Sequence, residues 1–552
     1  MKFTIAQLDY HIGNFTGNRD KILKAIGKAK SEGSDLIIFS ELCISGYPPL
    51  DLLDRADFVE KCLQTVQEIA DQCKGITAIV GSPTFNRKKE GKKLYNSALA
   101  LSEGRVTFTA NKGLLPTYDI FDEYRYFEPE KKFQVFNFKE LRIAITICED
   151  LWDEQPFDNK FEKSRLYTIS PMEELSKLHP DFVINISASP FSSTKVEAKK
   201  NIFITKAKKY GLPVISVNQT GANTELIFDG ASIIIKGDGK IFSLLPYFEE
   251  TVETYVLEDI ISGRIIHTGP DPEDGSVELI KKALVTGIRD YFTKTGFKKA
   301  VIGLSGGIDS AVCTCLATEA LGSGNVKALM MPSRYSSAHS VTDSVELAGN
   351  LGISYDIISI EKPFSAFEDV LAPAFDGKKK DITEENIQAR IRAVMLMAYA
   401  NKFGYILLNT SNKSEAAVGY GTLYGDMAGG LSIIGDVYKT EVYKLANYIN
   451  RNKKIIPENI LLKPPSAELR PNQLDADSLP DYRILDCILH QYIDLQRPVD
   501  EIEVDGFDSS VVEKVRNLIN SNEYKRYQTP PILRVSSKAF GDGWKMPLVA
   551  KY

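Results

Sequence analysis

The run VIGLSGGIDSA at 301–311 constrains the fold of the chain more than any other stretch. An apolar segment breaks into Ser-Gly-Gly and resumes in small apolar residues, which predicts a buried strand, a tight turn and a helix. The glycines let the backbone approach a ligand, and Ser305, Ser310 and the helix N-terminus supply donors for an anion. Asp309 suits an anion site only where a divalent cation lies between its carboxylate and the anion. On its own, the run fits an anion-binding loop and an ordinary capped turn equally well.

The length, charge and cysteine usage of the chain exclude several classes of protein. At 552 residues the chain exceeds what one hydrophobic core holds, so we expect about two to four domains. A net charge of −6 argues against a nucleic-acid partner. No apolar run approaches the roughly 20 residues that cross a bilayer, and Gln7 and Asp9 interrupt the apolar residues that a signal peptide needs. Seven cysteines without disulfide spacing indicate reduced thiols. We therefore expect a cytoplasmic protein with no membrane partner.

A segment rich in Gly, Pro and Asp, SGRIIHTGPDPEDGSVEL at 262–279, marks the clearest boundary along the chain. It ends at the start of a predicted helix whose apolar residues recur at helical spacing. We therefore expect a domain at 1–265, a linker at 266–275 and a second domain at 276–552.

The two sides of this boundary alternate strands and helices differently. Before it, short β-branched or aromatic runs predict strands at 35–39, 76–81, 97–102, 105–111, 141–147, 181–187 and 212–219, with helices at 19–31 and 56–72. After it, predicted strands at 300–304, 326–331, 354–360 and 405–409 alternate with helices near 310–321, 339–352 and 384–403. We expect an α/β domain with buried sheets, followed by a doubly wound parallel sheet.

The string SGGIDS resembles the pyrophosphate-binding loop of the N-type ATP pyrophosphatases, which cleave ATP to AMP and pyrophosphate. Four later segments narrow the choice among these pyrophosphatases, because in their order and residues they resemble the NAD synthetase family. They are 384–404, 407–446, 464–489 and 522–541. The resemblance covers nearly all of the second domain and implies a Rossmann-like ATP pyrophosphatase fold.

This resemblance also implies a ligand for individual residues. The residues that would bind ATP are Gly303, Leu304, Ser305, Gly306, Gly307, Ile308, Asp309, Ser310, Thr410, Lys439 and Ser466. Those that would bind deamido-NAD are Asn386, Glu415 and Lys525, and those that would hold Mg²⁺ are Asp309 and Glu415. A nicotinate carboxylate is a poor electrophile, and transfer of AMP onto it creates a mixed anhydride that ammonia can attack. Mg²⁺, lysine and backbone amides would neutralise the triphosphate charge during that transfer.

Three predicted strands of the first domain end in a chemically reactive residue: Glu41, Lys112 and Cys148. Each alone has an ordinary explanation, since cysteine is often a small buried hydrophobe and charged residues mostly lie on surfaces. Because α/β sheets collect their sites at strand ends, the three could converge. As a set they supply a nucleophile in Cys148, a base in Glu41 and, in Lys112, a charge that stabilises a thiolate or an oxyanion.

These residues, with the string CED at 148–150, resemble the Glu-Lys-Cys triad of the nitrilase, or carbon–nitrogen hydrolase, superfamily. The resemblance covers about residues 1–260 and implies a four-layer αββα sandwich. In glutamine-dependent NAD synthetases a domain of this type is a glutaminase. Matching positions imply that glutamine would be bound by Tyr118, Ser189 and Lys195.

The two resemblances, in this order along the chain, imply a ligase that amidates deamido-NAD with ammonia taken from glutamine. Glutamine, deamido-NAD and ATP would give glutamate, NAD, AMP and pyrophosphate, with an enclosed passage for ammonia. The family resemblance further implies a homo-oligomer. The residues leave three alternatives open: an amidating ligase for another carboxylate, a nitrilase-type hydrolase whose second half senses nucleotide, and a scaffold.

Overall fold

The structure, a computed structural model, describes residues 1–154, 165–262, 267–268, 275–502 and 509–550. The chain divides into two units, Met1–Glu273 and Asp274–Tyr552. Most of the expected linker at 266–275 lies outside the described residues. None of the helices in the described ranges is both long and apolar enough to span a bilayer.

The first unit is rich in short strands. Its strands are β1 (Lys2–Gln7), β2 (Leu36–Ile38), β3 (Thr77–Phe85), β4 (Leu94–Ser102), β5 (Arg105–Asn111), β6 (Val135–Phe138), β7 (Leu141–Ile147), β8 (Phe182–Ser187), β9 (Val214–Asn218), β10 (Thr220–Asn223), β11 (Leu226–Asp229), β12 (Ile233–Ile235), β13 (Ile241–Leu244), β14 (Thr251–Val256) and β15 (His267–Thr268). Its helices are α1 (Phe15–Ser31), α2 (Ala56–Ala70), α3 (Pro171–Ser176), α4 (Val196–Tyr210) and α5 (Leu257–Ser262).

Neighbouring residues of the central strands face two different apolar layers. In β2, Leu36 and Ile38 belong to the core between the two large sheets, whereas Ile37 packs into the core that α1 and α2 cover. Successive side chains of a strand point to opposite faces. A strand buried on both faces therefore reads as an unbroken apolar run, which is why the sequence reveals it.

Two large sheets and the helices outside them form four layers. In the described part of the chain, one sheet has the order β14-β1-β2-β3-β4-β5 and the other the order β15-β13-β12-β9-β8-β7-β6, while β10 and β11 pair separately. Helices α1 and α2 pack on the first sheet, α3 contacts β7, and α4 contacts β9 and β12. The αββα sandwich predicted from the sequence is confirmed.

The second unit repeats the strand–helix–strand pattern. Its strands are β16 (Ala300–Gly303), β17 (Val326–Met330), β18 (Ser354–Ile357), β19 (Ile406–Asn409) and β20 (Leu431–Ser432). Its helices are α6 (Ser276–Thr295), α7 (Ile308–Leu321), α8 (Ala338–Leu351), α9 (Glu361–Phe375), α10 (Ile382–Phe403), α11 (Lys413–Val418), α12 (Lys439–Asn450), α13 (Glu458–Leu462), α14 (Tyr482–Leu489), α15 (Ser509–Ser521) and α16 (Glu523–Arg526).

The strands of this unit form a parallel sheet in the order β18-β17-β16-β19-β20. The predicted doubly wound sheet is therefore confirmed. The strand order reverses between β16 and β19, and ligands of such sheets bind at the carboxyl ends of the strands beside this point. The chain places Leu304 after β16 and Thr410 after β19, at that edge.

Candidate active sites

Glu41 and Lys112 lie in direct contact in the first unit, although 71 residues separate them. Lys112 directly follows β5 and Glu41 lies three residues after β2, so both side chains come from strand ends. Lys112 Nζ donates to Glu41 Oε1 at 2.8 Å, and both side chains are at most 1% exposed. Burial lowers the pKa of Lys112, but the charges of Glu123 and Glu41 outweigh it and raise that pKa well above its ordinary value. The structure thus holds a charged lysine inside the unit.

Cys148 begins the turn that follows β7 and has a backbone φ of +43°, in the left-handed region. Burial and the negative charge of Glu41 raise the pKa of its thiol well above the ordinary value, while the charge of Lys112 opposes them. These charges act on the thiol because the three predicted triad members converge. Cys148 at rest is consequently a thiol and not a thiolate.

Sequence reasoning missed a second carboxylate, Glu123, which binds the same lysine. Lys112 Nζ lies 2.9 Å from Oε1 and 2.7 Å from Oε2 of Glu123, and Tyr47 donates its hydroxyl to Oε1 at 3.0 Å. Burial raises the pKa of Glu123 to about 7, against the opposing charge of Lys112. No sequence signal marks Glu123, because it lies in a short turn at Glu123–Arg125 and not at the end of a strand.

Two of the three predicted glutamine residues, Tyr118 and Lys195, act on Glu149, the residue after the cysteine. Tyr118 and Tyr167 each donate a hydroxyl to Glu149 Oε1, at 2.9 and 2.8 Å. Burial raises the pKa of Glu149, and the positive charge of Lys195 is among the influences that oppose the shift. The backbone N–H of Ser189 donates to Asn218 Oδ1 at 2.9 Å. Tyr118 and Lys195 therefore face a buried acid that the sequence analysis left without a role.

In the second unit, one cavity of about 310 Å³ lies at the carboxyl ends of β16 and β19. Every residue predicted to bind ATP lines it, namely Gly303 to Ser310, Thr410, Lys439 and Ser466. Gly306 has φ +79°, and a Cβ there would lie 2.5 Å from the backbone oxygen of Ser340. This glycine therefore lets the loop pass against the start of α8.

Lys439 bridges the two carboxylates predicted to hold Mg²⁺. Its Nζ lies 2.5 Å from Asp309 Oδ2 and 3.4 Å from Glu415 Oε1. Burial and the charge of Asp309 raise the pKa of Glu415 to about 8. In the described residues, no group of three or more His, Cys, Asp or Glu side chains is arranged to hold a metal. Two oxygen donors beside a cavity nonetheless suit Mg²⁺, which commonly binds through one or two carboxylates plus substrate phosphates and water.

Asn386 and Lys525, predicted to bind deamido-NAD, converge on the loop at 419–426. Lys525 Nζ donates to the carbonyls of Gly419 and Gly421 at 2.6 and 2.8 Å, and Thr422 donates its hydroxyl to Asn386 Oδ1 at 2.7 Å. The same loop contributes Tyr420, Gly425 and Asp426 to the cavity. The structure thus places both residues behind one wall of the cavity.

Arg392 is a cavity residue that the sequence analysis did not single out. Its Nε donates to the carbonyl of Met331 at 3.0 Å, and burial lowers the pKa of its guanidinium to about 10. It lies on α10, whose sequence reads as an ordinary amphipathic helix, so only the packing of that helix shows that Arg392 faces the cavity.

Comparison with known proteins decides between the alternatives that the sequence leaves open. Residues 2–262 match the carbon-nitrogen hydrolase family, and residues 280–529 match the NAD synthase family. A glutamine-dependent NAD(+) synthetase from Synechocystis sp. is 43% identical over 100% of this chain and 99% of its own length. The chain belongs to the glutamine-dependent NAD(+) synthetase family. It is therefore an enzyme of the last step of NAD biosynthesis, with a glutaminase domain and an NAD synthase domain, and the ligase predicted from the sequence is confirmed.

Other glutamine-dependent NAD(+) synthetases match over similar lengths. That of Thermotoga maritima is 39% identical over 100% of this chain and 99% of its own. A solved glutamine-dependent NAD+ synthetase from Acinetobacter baumannii, in complex with ADP, has a TM-score of 0.78 at 36% identity and covers 99% of this chain and 98% of that chain. One from Cytophaga hutchinsonii has a TM-score of 0.83 at 21% identity over 100% of this chain and 98% of that chain, a likeness of fold.

Proposed function

We propose that Cys148, Glu41 and Lys112 form the glutaminase centre of this enzyme. The observation that carries the proposal is the buried Lys112–Glu41 ion pair, whose charges act on the Cys148 thiol. A buried ion pair contributes little net stability, because removing both charges from water offsets their attraction. Strongly shifted groups brought together at strand ends are better explained by catalysis.

In this mechanism Cys148 attacks the side-chain amide carbon of glutamine. Because the thiol is protonated at rest, its S–H bond breaks as the S–C bond forms, and Glu41 takes the proton. The charge of Lys112 stabilises the negative oxygen of the tetrahedral intermediate. Glu41 then protonates the leaving nitrogen, the C–N bond breaks, and ammonia departs from a thioester. Finally Glu41 deprotonates a water that attacks the thioester, and the leaving sulfur recovers the proton, which frees glutamate.

The amino-acid end of glutamine carries an ammonium and a carboxylate, and the site offers the opposite charges. Glu149 would bind the ammonium, and Lys195 the carboxylate as a point charge. Tyr118 and Ser189 would add hydrogen bonds. This assignment is supported by the Tyr118 hydroxyl on Glu149 and by the influence of the Lys195 charge on that acid.

In the second unit, we assign the triphosphate of ATP to the loop at 303–310, with Thr410, Lys439 and Ser466 around it. The nicotinate carboxylate of deamido-NAD attacks the α-phosphorus and pyrophosphate leaves. Ammonia then attacks the carbonyl carbon of the mixed anhydride and AMP leaves, which yields the amide. Asn386, Glu415 and Lys525 are the proposed contacts for deamido-NAD. The convergence of Asn386 and Lys525 on a loop that lines the cavity supports their assignment.

Asp309 and Glu415 would hold Mg²⁺, which neutralises phosphate charge when bound. Lys439 already pairs with these two carboxylates. Once Mg²⁺ neutralises them instead, the ammonium of Lys439 would bind a phosphate oxygen. The two oxygen donors at the cavity edge support this assignment.

A glutaminase domain would span 1–265, a linker 266–275 and the synthetase domain 276–552, and an enclosed passage would carry ammonia between the sites. Seven free cysteines, such as the buried Cys43 and Cys313, support a cytoplasmic location. Homo-oligomeric assembly is proposed from the family resemblance.

The decisive experiment follows nitrogen from glutamine into NAD. Glutamine with a ¹⁵N side-chain amide, supplied with ATP and deamido-NAD, should place the label in the carboxamide of NAD. Cys148→Ala should abolish this transfer, because it removes the nucleophile, while free ammonia still supports NAD synthesis. NAD without label, or loss of the ammonia-driven reaction in folded Cys148→Ala protein, would contradict separate centres.

A further inference from the structure

From the described residues, the carboxylate of Glu41 receives three hydrogen bonds, which are divided unequally between its oxygens. Oε1 accepts from Asn96 Nδ2 at 2.7 Å and from Lys112 Nζ at 2.8 Å. Oε2 accepts from the backbone N–H of Ala188 at 3.0 Å. Each carboxylate oxygen has about two acceptor positions. Oε1 is therefore saturated, whereas Oε2 keeps one position that a proton can take.

We propose that Asn96 is a positioning residue of the glutaminase reaction, which holds Glu41 so that Oε2 takes the proton of the Cys148 thiol. The inference rests on the proposed role of Cys148 and Glu41 and adds which oxygen acts as the base. With Oε1 occupied on both sides, rotation of the carboxylate would break two short hydrogen bonds. Asn96 thereby keeps the accepting oxygen in one orientation through both proton transfers.

The amide of Asn96 is oriented for Glu41 at the expense of its own oxygen. Asn96 is 1% exposed, and its Oδ1 has no hydrogen-bond partner in the described residues. Turning the amide over would bring Oδ1 against the carboxylate, where two acceptors repel. An unpaired buried oxygen loses its hydrogen bonds to water and gains none in return. A buried asparagine with a purely structural role would have hydrogen bonds at both its amide nitrogen and its amide oxygen. The unpaired oxygen of Asn96 therefore indicates that its amide is oriented for the carboxylate of Glu41.

The backbone of Asn96 fixes a second member of the centre. Its carbonyl accepts the backbone N–H of Lys112 at 2.8 Å. Asn96 lies inside β4, paired with Pro83 of β3, so its backbone has little freedom. Asn96 therefore holds two members of the centre: its side chain binds the carboxylate of Glu41, and its carbonyl fixes the backbone of Lys112.

The charges around Glu41 explain why a neutral donor suits this position. The charged or titratable groups that act together at the centre with Glu41 are Lys112, Glu123, Cys148, Glu149 and Tyr47. A second cation on Oε1 would make proton uptake by Glu41 harder. An amide orients the carboxylate without adding a charge.

The test compares Asn96→Leu, which removes the donor, and Asn96→Asp, which puts an acceptor in its place. Ser97→Ala is the matched control, because Ser97 is the next residue of the strand and donates instead to Asn111 Oδ1. Each variant is assayed in the full chain for glutamine hydrolysis across pH and for ammonia-driven NAD synthesis. Cys148→Ala is measured alongside them.

For both Asn96 variants we expect kcat for glutamine to fall on the order of 100-fold, the loss typical of a displaced catalytic group. KM should stay within about twofold, since Asn96 does not touch glutamine in the proposed site. The acidic limb of the pH profile should move to higher pH in Asn96→Asp, because a carboxylate beside Glu41 favours its protonated form. Both Asn96 variants should keep the wild-type rate of ammonia-driven NAD synthesis. Ser97→Ala should keep the wild-type rates of both reactions.

An unchanged kcat in either folded Asn96 variant would overturn the inference, as would equal losses of the glutamine- and ammonia-driven reactions. If Cys148→Ala hydrolyses glutamine like the wild type, the proposed function itself is wrong. If only Cys148→Ala is inactive, the proposed function stands and the role of Asn96 does not.

Discussion

Cys148 owes its position to a carboxylate two residues further along the chain. The Asp150 side chain accepts the backbone N–H of Ile147 through Oδ2 at 2.9 Å, and those of Gly113 and Leu114 through Oδ1 at 2.9 Å. It therefore joins the end of β7 to the residues after Lys112. This contact stabilises the left-handed conformation of Cys148, which costs on the order of 1–3 kcal/mol for a residue other than glycine.

Lys413 shows how a buried cation is balanced in the second unit. Its side chain is 0% exposed and lies 3.2 Å from Asp436 Oδ1 and 3.3 Å from Asp494 Oδ2. Burial raises the pKa of Asp494, but the approach of His490 Nδ1 to 3.6 Å from Oδ2 and the charge of Lys413 outweigh it, so that this pKa lies well below its ordinary value. Asp494 therefore stabilises the fold in its charged form.

Asp494→Asn should destabilise the second unit by about 3 kcal/mol at pH 7, because it leaves part of the Lys413 charge uncompensated. The pKa of Asp494 is lower in the folded than in the unfolded protein. Its contribution is therefore complete above the unfolded value of about 3.9 and is lost as the pH falls further. Urea unfolding should show a gap to the wild type that narrows below about pH 4. The exposed Asp500→Asn serves as control, and a gap independent of pH would contradict this account.

At the scale of the element, the loop between β16 and α7 depends on the close approach of α8. Gly306 has φ +79°, and an added Cβ would lie 2.7 Å from Ser340 Cα. The atoms that this Cβ would meet are backbone atoms of Ser340, which cannot move aside as a flexible side chain can. A side chain at position 306 would therefore displace the loop, the first turn of α8, or both.

Gly306→Ala should reduce NAD synthesis from glutamine and from free ammonia alike, because both need the loop that is proposed to bind ATP. Displacement of such a loop should lower the rate on the order of 100-fold or more. Glutamine hydrolysis belongs to the other unit and should persist. The control is Gly324→Ala, because nothing lies within 4 Å of a Cβ at that position. Synthesis rates with either nitrogen source measure the effect, and near-normal ammonia-driven synthesis would show that the loop does not bind the phosphates.

At the scale of the whole molecule, each unit has apolar cores of its own. Those of the first unit contain residues such as Ile37 and Ile184, and those of the second contain Val301 and Leu485. Each unit also carries one of the two proposed centres. Folding stability and ligand binding should consequently be linked within a unit.

We expect calorimetry of the full chain to resolve two unfolding transitions, of which Mg²⁺ and ATP raise one. Ligand at about 100 times its Kd adds about 2.7 kcal/mol to the state that binds it. Asp494→Asn should lower the transition that the nucleotide raises, and a core variant of the first unit, Ile184→Val, should lower the other. A single transition that every change moves equally would contradict separate cores.

The sequence predicted those elements whose residues bury both faces or recur at a helical period. The strands β2 and β7 read as apolar runs, whereas β5, which is mostly exposed or half-buried, was recognised from its β-branched and aromatic residues. The residues after these three strands supplied the triad members. The short strands β10 to β13 escaped, since three or four residues carry too little pattern to separate a strand from a loop. The predicted strand at 354–360 is too long at its C-terminal end, because β18 ends at Ile357 and the apolar residues after it lead into α9.

By itself, the sequence determined the fold class, the two units and the residues at strand ends, because burial imposes a period that is visible along the chain. Only the tertiary structure decided the partners of those residues. Glu123, Glu149, Asn96 and Arg392 are single polar side chains without a pattern, and each gains its role from a neighbour distant in sequence. Contacts of that kind depend on how sheets and helices pack, and no local spacing encodes them.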